Sequence, residues 1–221
     1  MRIRFAKYGR REMAVVLALS AAAVAAIILA LPTFLWWFLV LPVLLSGLVL
    51  YFFRDPERNI PTEGGLLVAP ADGYVTDIEK CPEDDWLGEE AGRVSIFLTA
   101  LDVHLNRAPC KGTVEKIRYR KGRFFNAMRK KSARENERND VCIRISENGE
   151  KMLVRQIAGV LARRIVCDCS EGKGVERGQI IGMIKLGSRT DLFVPARLNV
   201  EFLVSVGEHV KAGETVIGRF V

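Results

Sequence analysis

Hydrophobic and polar positions divide this chain in two. From Met13 to Phe53 no charged residue occurs, whereas beyond Arg54 the apolar residues come in short β-branched runs broken by glycine, proline and charge. The uncharged stretch divides at Pro32-Thr33 into segments 14–31 and 34–53. Each is just long enough for a helix across a hydrocarbon core of roughly 30 Å. Trp36 and Trp37 stand near the start of the second segment, where indole rings favour the headgroup interface. A cleaved signal peptide has a much shorter apolar region, about 7–15 residues. The expectation is therefore a helical hairpin forming an anchor over 1–53, with a single tilted or re-entrant helix as the alternative. Arg2, Arg4, Lys7, Arg10 and Arg11 precede it, and Arg54 and Arg58 follow. The positive-inside rule then places both ends, and all that follows, on the cytoplasmic face of the cell membrane.

Pro56, in Arg54-Asp-Pro-Glu-Arg58, ends the second helix. Strands are predicted at 66–68, 73–78, 93–98, 112–119, 141–146, 152–157, 165–169, 180–186, 200–206 and 215–220. Runs of this length and spacing make 54–221 a mainly β, β-rich α+β domain. One helix is expected around 125–137, between Gly122 and Asn139. A repeat also emerges: Gly172-x-x-Val175-x-x-Gly178 returns as Gly207-x-x-Val210-x-x-Gly213. Glycines at these offsets suit turns of positive φ, with the valine pointing inward. The repeat resembles the turns of barrel-sandwich hybrid domains, the fold of biotinyl and lipoyl carriers. No lysine stands at a hairpin tip as in those carriers, so the resemblance bears on fold and not on a swinging arm.

Composition narrows the chemistry. The five cysteines Cys81, Cys110, Cys142, Cys167 and Cys169 are scattered and odd in number, which fits reduced core residues in a cytoplasmic domain. Cys167-x-Cys169 alone is too little for zinc, and no metal is expected. With only His104 and His209 in the chain, a lysostaphin-like zinc peptidase is excluded. The +7 net charge has a local source in Arg118, Arg120, Lys121, Arg123, Arg129, Lys130, Lys131, Arg134 and Arg138, interleaved with Phe124, Phe125 and Met128. Beside a membrane anchor, anionic phospholipid explains this run better than nucleic acid does; a solvated basic loop is the plain alternative.

Three segments carry candidate chemistry: Ala69-Pro-Ala-Asp72-Gly-Tyr-Val75, Leu101-Asp102-Val-His104-Leu-Asn-Arg107-Ala-Pro109 and Lys185-Leu-Gly187-Ser188-Arg189-Thr-Asp191. Each alone is ordinary, since Asp-Gly is a common turn and a lone histidine is more often structural. Together they supply serine, histidine and aspartate, the parts of an activated nucleophile. No Gly-x-Ser-x-Gly elbow surrounds Ser188, so a common serine hydrolase is not supported. His209 lies inside the glycine repeat and reads as a turn residue.

Leu-Gly187-Ser188-Arg189 resembles the self-cleavage site of phosphatidylserine decarboxylases, in the short form of that family. The resemblance extends over roughly 52–221 through Phe53-Arg-Asp-Pro56, Pro70-Ala-Asp-Gly73, Asp102-Val-His104, Gly122-Arg-Phe-Phe-Asn126, Asn136-Glu-Arg138 and Gly187-Ser188-Arg189. It implies that His104, oriented by Asp72, takes the proton of Ser188, whose oxygen attacks the Gly187 carbonyl. The amide thereby becomes an ester, and elimination across Cα–Cβ of Ser188 releases the upstream chain. Hydrolysis of the resulting dehydroalanine, which takes up water and releases ammonia, leaves a pyruvoyl group at the head of 188–221 (the α chain), associated with 1–187 (the β chain). The resemblance further implies that this ketone takes up electrons as the serine headgroup of phosphatidylserine loses carbon dioxide. Substrate binding by Phe124, Phe125 and Asn126 is implied, and so is a homodimer. Many relatives have a second histidine where this chain has Arg107; either His104 serves twice or Arg107 binds substrate carboxylate or phosphate. The rival readings are a decarboxylase of another seryl lipid, such as archaetidylserine, and a membrane-tethered hybrid-motif adaptor without catalysis.

Overall fold

The computed structural model describes residues 4–128, 132–160, 164–185 and 187–221. Chain contacts define two compact units, Met1–Glu57 and Arg58–Val221. In the first, the helix Arg10–Ala30 stops where Leu31 turns extended, the conformation favoured just before a proline. A 3-10 segment, Thr33–Leu39, leads into the helix Val40–Phe52. Pro42 sits in the first turn of that helix, where its missing N–H breaks no helical bond. The spans Lys7–Ala30 and Thr33–Phe52 are long and apolar enough to cross a membrane, and Leu29, Phe34, Val40 and Leu41 point outward and exposed. A two-residue ladder joins Arg4–Phe5 to Arg54–Asp55, so the hairpin begins and ends side by side.

The second unit is strand-rich, as expected. An antiparallel eight-stranded sheet runs in the order Gly174–Val175, Gly112–Arg120, Arg138–Ile145, Lys151–Ile157, Ser188–Pro195, Glu89–Leu98, Gly73–Glu83 and His209–Val210. Two three-stranded sheets complete it: Ile165–Cys167, Ile180–Ile184 and Leu105–Arg107; and Val200–Phe202, Val216–Phe220 and Leu66–Val68. Ile96, Ile143, Val154, Ile181, Leu192 and Ile217 are fully buried in the common core.

The glycine repeat is a structural repeat. Gly172, Gly178, Gly207 and Gly213 all have φ between 74° and 93°, a region L side chains avoid. Val175 and Val210 are buried between them. The two halves bond alike: Gly172 N donates to Val114 O as Gly207 N donates to Val75 O, and Gly178 N to Ala108 O as Gly213 N to Ala69 O. A side chain on Gly213 would press on Gly178 and Arg107, so the halves meet back to back.

Two expectations need correction. The helix at 125–137 is only Ser132–Glu135 in the described residues; residues 129–131 lie outside them. No strand is expected at 188–195, yet Ser188–Pro195 runs through the interior of the large sheet and is buried throughout. Its alternation is hidden because Arg189, Thr190 and Asp191 are polar and buried. Arg189 and Asp191 share one face and form an ion pair in which Arg189 Nη2 donates to Asp191 Oδ2 at 2.8 Å.

Candidate active site

Ser188 opens that interior strand, opposite Leu98 on one side; the next residue, Arg189, lies opposite Ile157 on the other. Its side chain is fully buried, and Oγ makes no hydrogen bond among the described residues. Gly187 has φ +62°, which only glycine adopts readily. Its carbonyl oxygen rests against Gly159, where any Cβ would overlap it. The Cβ of Ala127 is close to the same spot, and the Ala127 carbonyl accepts hydrogen bonds from Ser132 Oγ (3.0 Å) and Arg189 (3.3 Å). Asn136 ties this corner together. Its amide donates to the carbonyls of Phe125 and Ala158, both at 2.7 Å, and its oxygen accepts the Phe125 N–H at 3.0 Å.

His104 is fully buried. Its Nδ1 lies 2.9 Å from the carbonyl of Asp102. A carbonyl only accepts, so Nδ1 carries the proton and Nε2 keeps the lone pair. Two bonds bring this segment to the serine. The Ile184 amide donates to the His104 carbonyl (3.1 Å) just before the turn into Gly187. Two residues beyond His104 and Ser188 respectively, Asn106 Nδ2 donates to Thr190 Oγ1 at 2.9 Å. Gln156 and Asn139 extend this contact into a buried amide chain, Asn139 to Gln156 (2.9 Å) and Gln156 to Asn106 (2.8 Å).

Asp102 does more than lend its carbonyl. One carboxylate oxygen accepts the N–H and Oγ1 of Thr99, both at 2.7 Å; the other meets His209 Nε2 at 2.7 Å. Burial pushes its pKa up, but these bonds outweigh burial and hold it below the ordinary aspartate value. The His209 ring packs edge-on against Tyr74, centroids 4.8 Å apart. The residue expected to be only part of a turn thus braces the turn that carries His104.

Asp72, expected beside His104, has its described hydrogen bonds elsewhere. Arg58 grips both its oxygens at 2.9 and 2.7 Å, and the Ala212 amide adds a third bond at 2.8 Å. Burial raises its pKa against the pull of Arg58, and the Asp102 charge adds to the rise, which places the two carboxylates within each other's field. Arg107 is buried and donates to the Gly178 carbonyl at 2.9 Å, at the junction of the two glycine turns. Phe124 is exposed, Phe125 is half-buried, and Asn126 is exposed with its oxygen accepting the Met128 N–H. Much of the basic run is paired: Arg120 with Asp85, Arg138 with the Ala133 carbonyl, and Arg118 stacked on Trp86.

Sequence reasoning missed Gly159, Arg58, Asn136 and the role of Asp102. The last two stand in motifs already noted; Gly159 gave only the faint signal of a glycine closing an apolar strand. Among the described residues, no group of three or more His, Cys, Asp or Glu side chains is placed to hold a metal ion.

The profile of the phosphatidylserine decarboxylase family matches residues 45–218. A phosphatidylserine decarboxylase proenzyme of Gluconacetobacter diazotrophicus is 48% identical over 179 residues, 80% of this chain and 78% of the relative. Proteins of the same name from Rhodopirellula baltica and Syntrophus aciditrophicus are 45% and 44% identical, covering 84% and 83% of this chain and 77% and 85% of theirs. A match of this extent, over the strands that enclose Ser188 and His104, makes the chain a member of the phosphatidylserine decarboxylase family.

Proposed function

We propose that this chain is a proenzyme that cuts itself between Gly187 and Ser188, and then decarboxylates phosphatidylserine to phosphatidylethanolamine with the pyruvoyl group so formed. The observation that carries the reading is the pairing of an enclosed, unbonded serine hydroxyl with a preceding carbonyl seated on Gly159. A buried hydroxyl without a partner costs about 1–3 kcal/mol, and at Ser188 that hydroxyl belongs to the residue directly after the seated Gly187 carbonyl.

His104 Nε2, its lone pair fixed by the Asp102 carbonyl, accepts the Ser188 proton. The oxygen attacks the Gly187 carbonyl, which no Cβ on either glycine obstructs. Asp102, held by Thr99 and His209, keeps the imidazole in place. Asp72 is proposed to act on the same centre from its clamp with Arg58, its charge favouring the protonated imidazole. Once Ser188 is converted, the pyruvoyl supplies an electron-accepting carbonyl at the head of the α chain. That head opens the strand Ser188–Pro195, bonded on both sides by Glu89–Leu98 and Lys151–Ile157. Cut chains 1–187 and 188–221 therefore stay associated by the sheet itself.

Lipid is proposed to enter at 122–128, where exposed Phe124 and Met128 dip among acyl chains and nearby arginines hold phosphate. Asn126 and Phe125 border the headgroup. Arg107 is proposed to set the local field from its buried seat. The apolar hairpin anchors the enzyme to the membrane with its catalytic unit on the cytoplasmic face, and a homodimer remains part of the proposal. The names of the relatives favour phosphatidylserine over archaetidylserine.

Intact-mass spectrometry of the purified chain, with Ser188→Ala beside it, tests the reading. Fragments 1–187 and 188–221, the latter without an α-amine, are expected from the parent and a single chain from the variant. An uncut parent chain, or a cut variant, would sink it.

A further inference from the structure

The described cysteines are all free thiols, but they are not equivalent. Burial pushes Cys110 up to about 12 and Cys142 up to about 11, and raises Cys81. Cys167 and Cys169 differ in geometry. Cys167 ends the strand Ile165–Cys167, an edge of its three-stranded sheet. The two sulfurs lie 3.4 Å apart, both half-buried. Side chains two apart on an extended strand share a face, which is how the pair meets. The hydrogen bond from Cys169 lowers Cys167 to about 6, against burial.

The sheet links this pair to the buried amide chain. Cys167 lies opposite Gly182, Gly182 lies opposite Asn106 on its other side, and the Gln156 amide packs against Gly182. From Gln156 the chain runs through Asn106 to Thr190, two residues from Ser188 on the same face of the strand. Joining the sulfurs brings them to about 2.05 Å and so displaces the strand end that packs on Gly182.

We infer that Cys167 and Cys169 form an oxidisable dithiol, converted by a hydroperoxide to an intrachain disulfide, and that this conversion slows self-cleavage by disturbing the amide chain. The Cys167 thiolate attacks one peroxide oxygen; the O–O bond breaks, and the other oxygen leaves as hydroxide or alkoxide, giving Cys167 sulfenic acid. The Cys169 sulfur then attacks the Cys167 sulfur, the S–O bond breaks, and water leaves with the Cys169 proton. Two electrons pass from the sulfurs to the peroxide. The link to cleavage rests on the function proposed above; formation of the disulfide does not.

The test treats the full-length chain with hydrogen peroxide, then alkylates it under denaturing conditions and maps the peptides by mass. The peptide holding Cys167 and Cys169 should lose both alkylation sites and two hydrogens, and dithiothreitol should restore it, while Cys81, Cys110 and Cys142 stay alkylated. In Cys169→Ser the reaction should stop at a dimedone-trapped sulfenic acid. An alkylatable pair after treatment, or equal loss at the buried cysteines, overturns the dithiol. Freshly synthesised uncut chain is followed in parallel, reduced or oxidised. Slower cleavage in the oxidised sample supports the coupling; equal rates overturn it. If reduced chain does not cut at all, the self-cleavage reading fails while the thiol result stands.

Discussion

The Cα of Gly159 lies against the carbonyl oxygen of Gly187, with no room for a single methyl between them. The two residues sit at the ends of segments bonded as neighbours in the sheet, since Arg189 is paired with Ile157. The carbonyl proposed to be attacked is therefore located by backbone against backbone, with no side chain to adjust.

Gly159→Ala should leave the fold intact and impair self-cleavage. Forcing a methyl into a packed site costs about 1–3 kcal/mol, which corresponds to a slowing of about fivefold to more than a hundredfold if it falls on the transition state. The fraction of uncut chain with time, read by intact mass, checks this. Cleavage at the parent rate would show that the Gly187 carbonyl is free to move.

Arg58→Ala should destabilise the catalytic unit strongly. It leaves Asp72 buried with the Ala212 amide as the remaining described partner, and removing one member of a buried ion pair costs about 3–5 kcal/mol. Asp72 would then take up a proton more readily. Its folded pKa already lies above the unfolded value, so its contribution to stability is most favourable in acid and falls as pH rises through the folded pKa. The deficit of Arg58→Ala should accordingly shrink at low pH, which denaturant titrations at two pH values would reveal.

His209→Ala should raise the pKa of Asp102, because it removes one of the bonds that hold this carboxylate low. A lowered aspartate stabilises the fold above its unfolded pKa, and that contribution is lost as pH falls through the folded one. The variant should therefore lose stability relative to the parent near neutrality and approach it in acid. Carboxyl NMR titration gives the direct readout; an unmoved Asp102 would mean that Thr99 alone holds it.

Asn136→Ala should loosen the corner that joins 125 to 158. Each backbone group left without its partner costs about 1–3 kcal/mol if it stays buried. A lower Tm and faster hydrogen exchange at Phe125 are expected, together with a higher KM for vesicle-borne lipid. An unchanged exchange rate at Phe125 would contradict the bracing role.

Removing residues 1–57 should release the enzyme from vesicles of neutral lipid while leaving cleavage at Gly187-Ser188 intact. Sedimentation with vesicles measures it. Full retention would assign anchoring to the surface around Phe124 and Met128.

The sequence by itself determined the two-part organisation, the strand-rich unit and the glycine repeat. Each of these is a local property: an uninterrupted apolar run, a β-branched run between breakers, or a positive φ that glycine alone tolerates. Gly187, Ser188, His104 and Asp72 were likewise legible as motifs. Tertiary structure decided what surrounds them. The strand Ser188–Pro195 was hidden because its polar residues are buried against partners far away in the chain, such as Asn106 for Thr190. His209 looked like a turn residue because only packing brings it within 2.7 Å of Asp102. Gly159 carried only the faint signal of a glycine closing an apolar strand, since the reason for its missing side chain is a carbonyl oxygen that a different segment delivers.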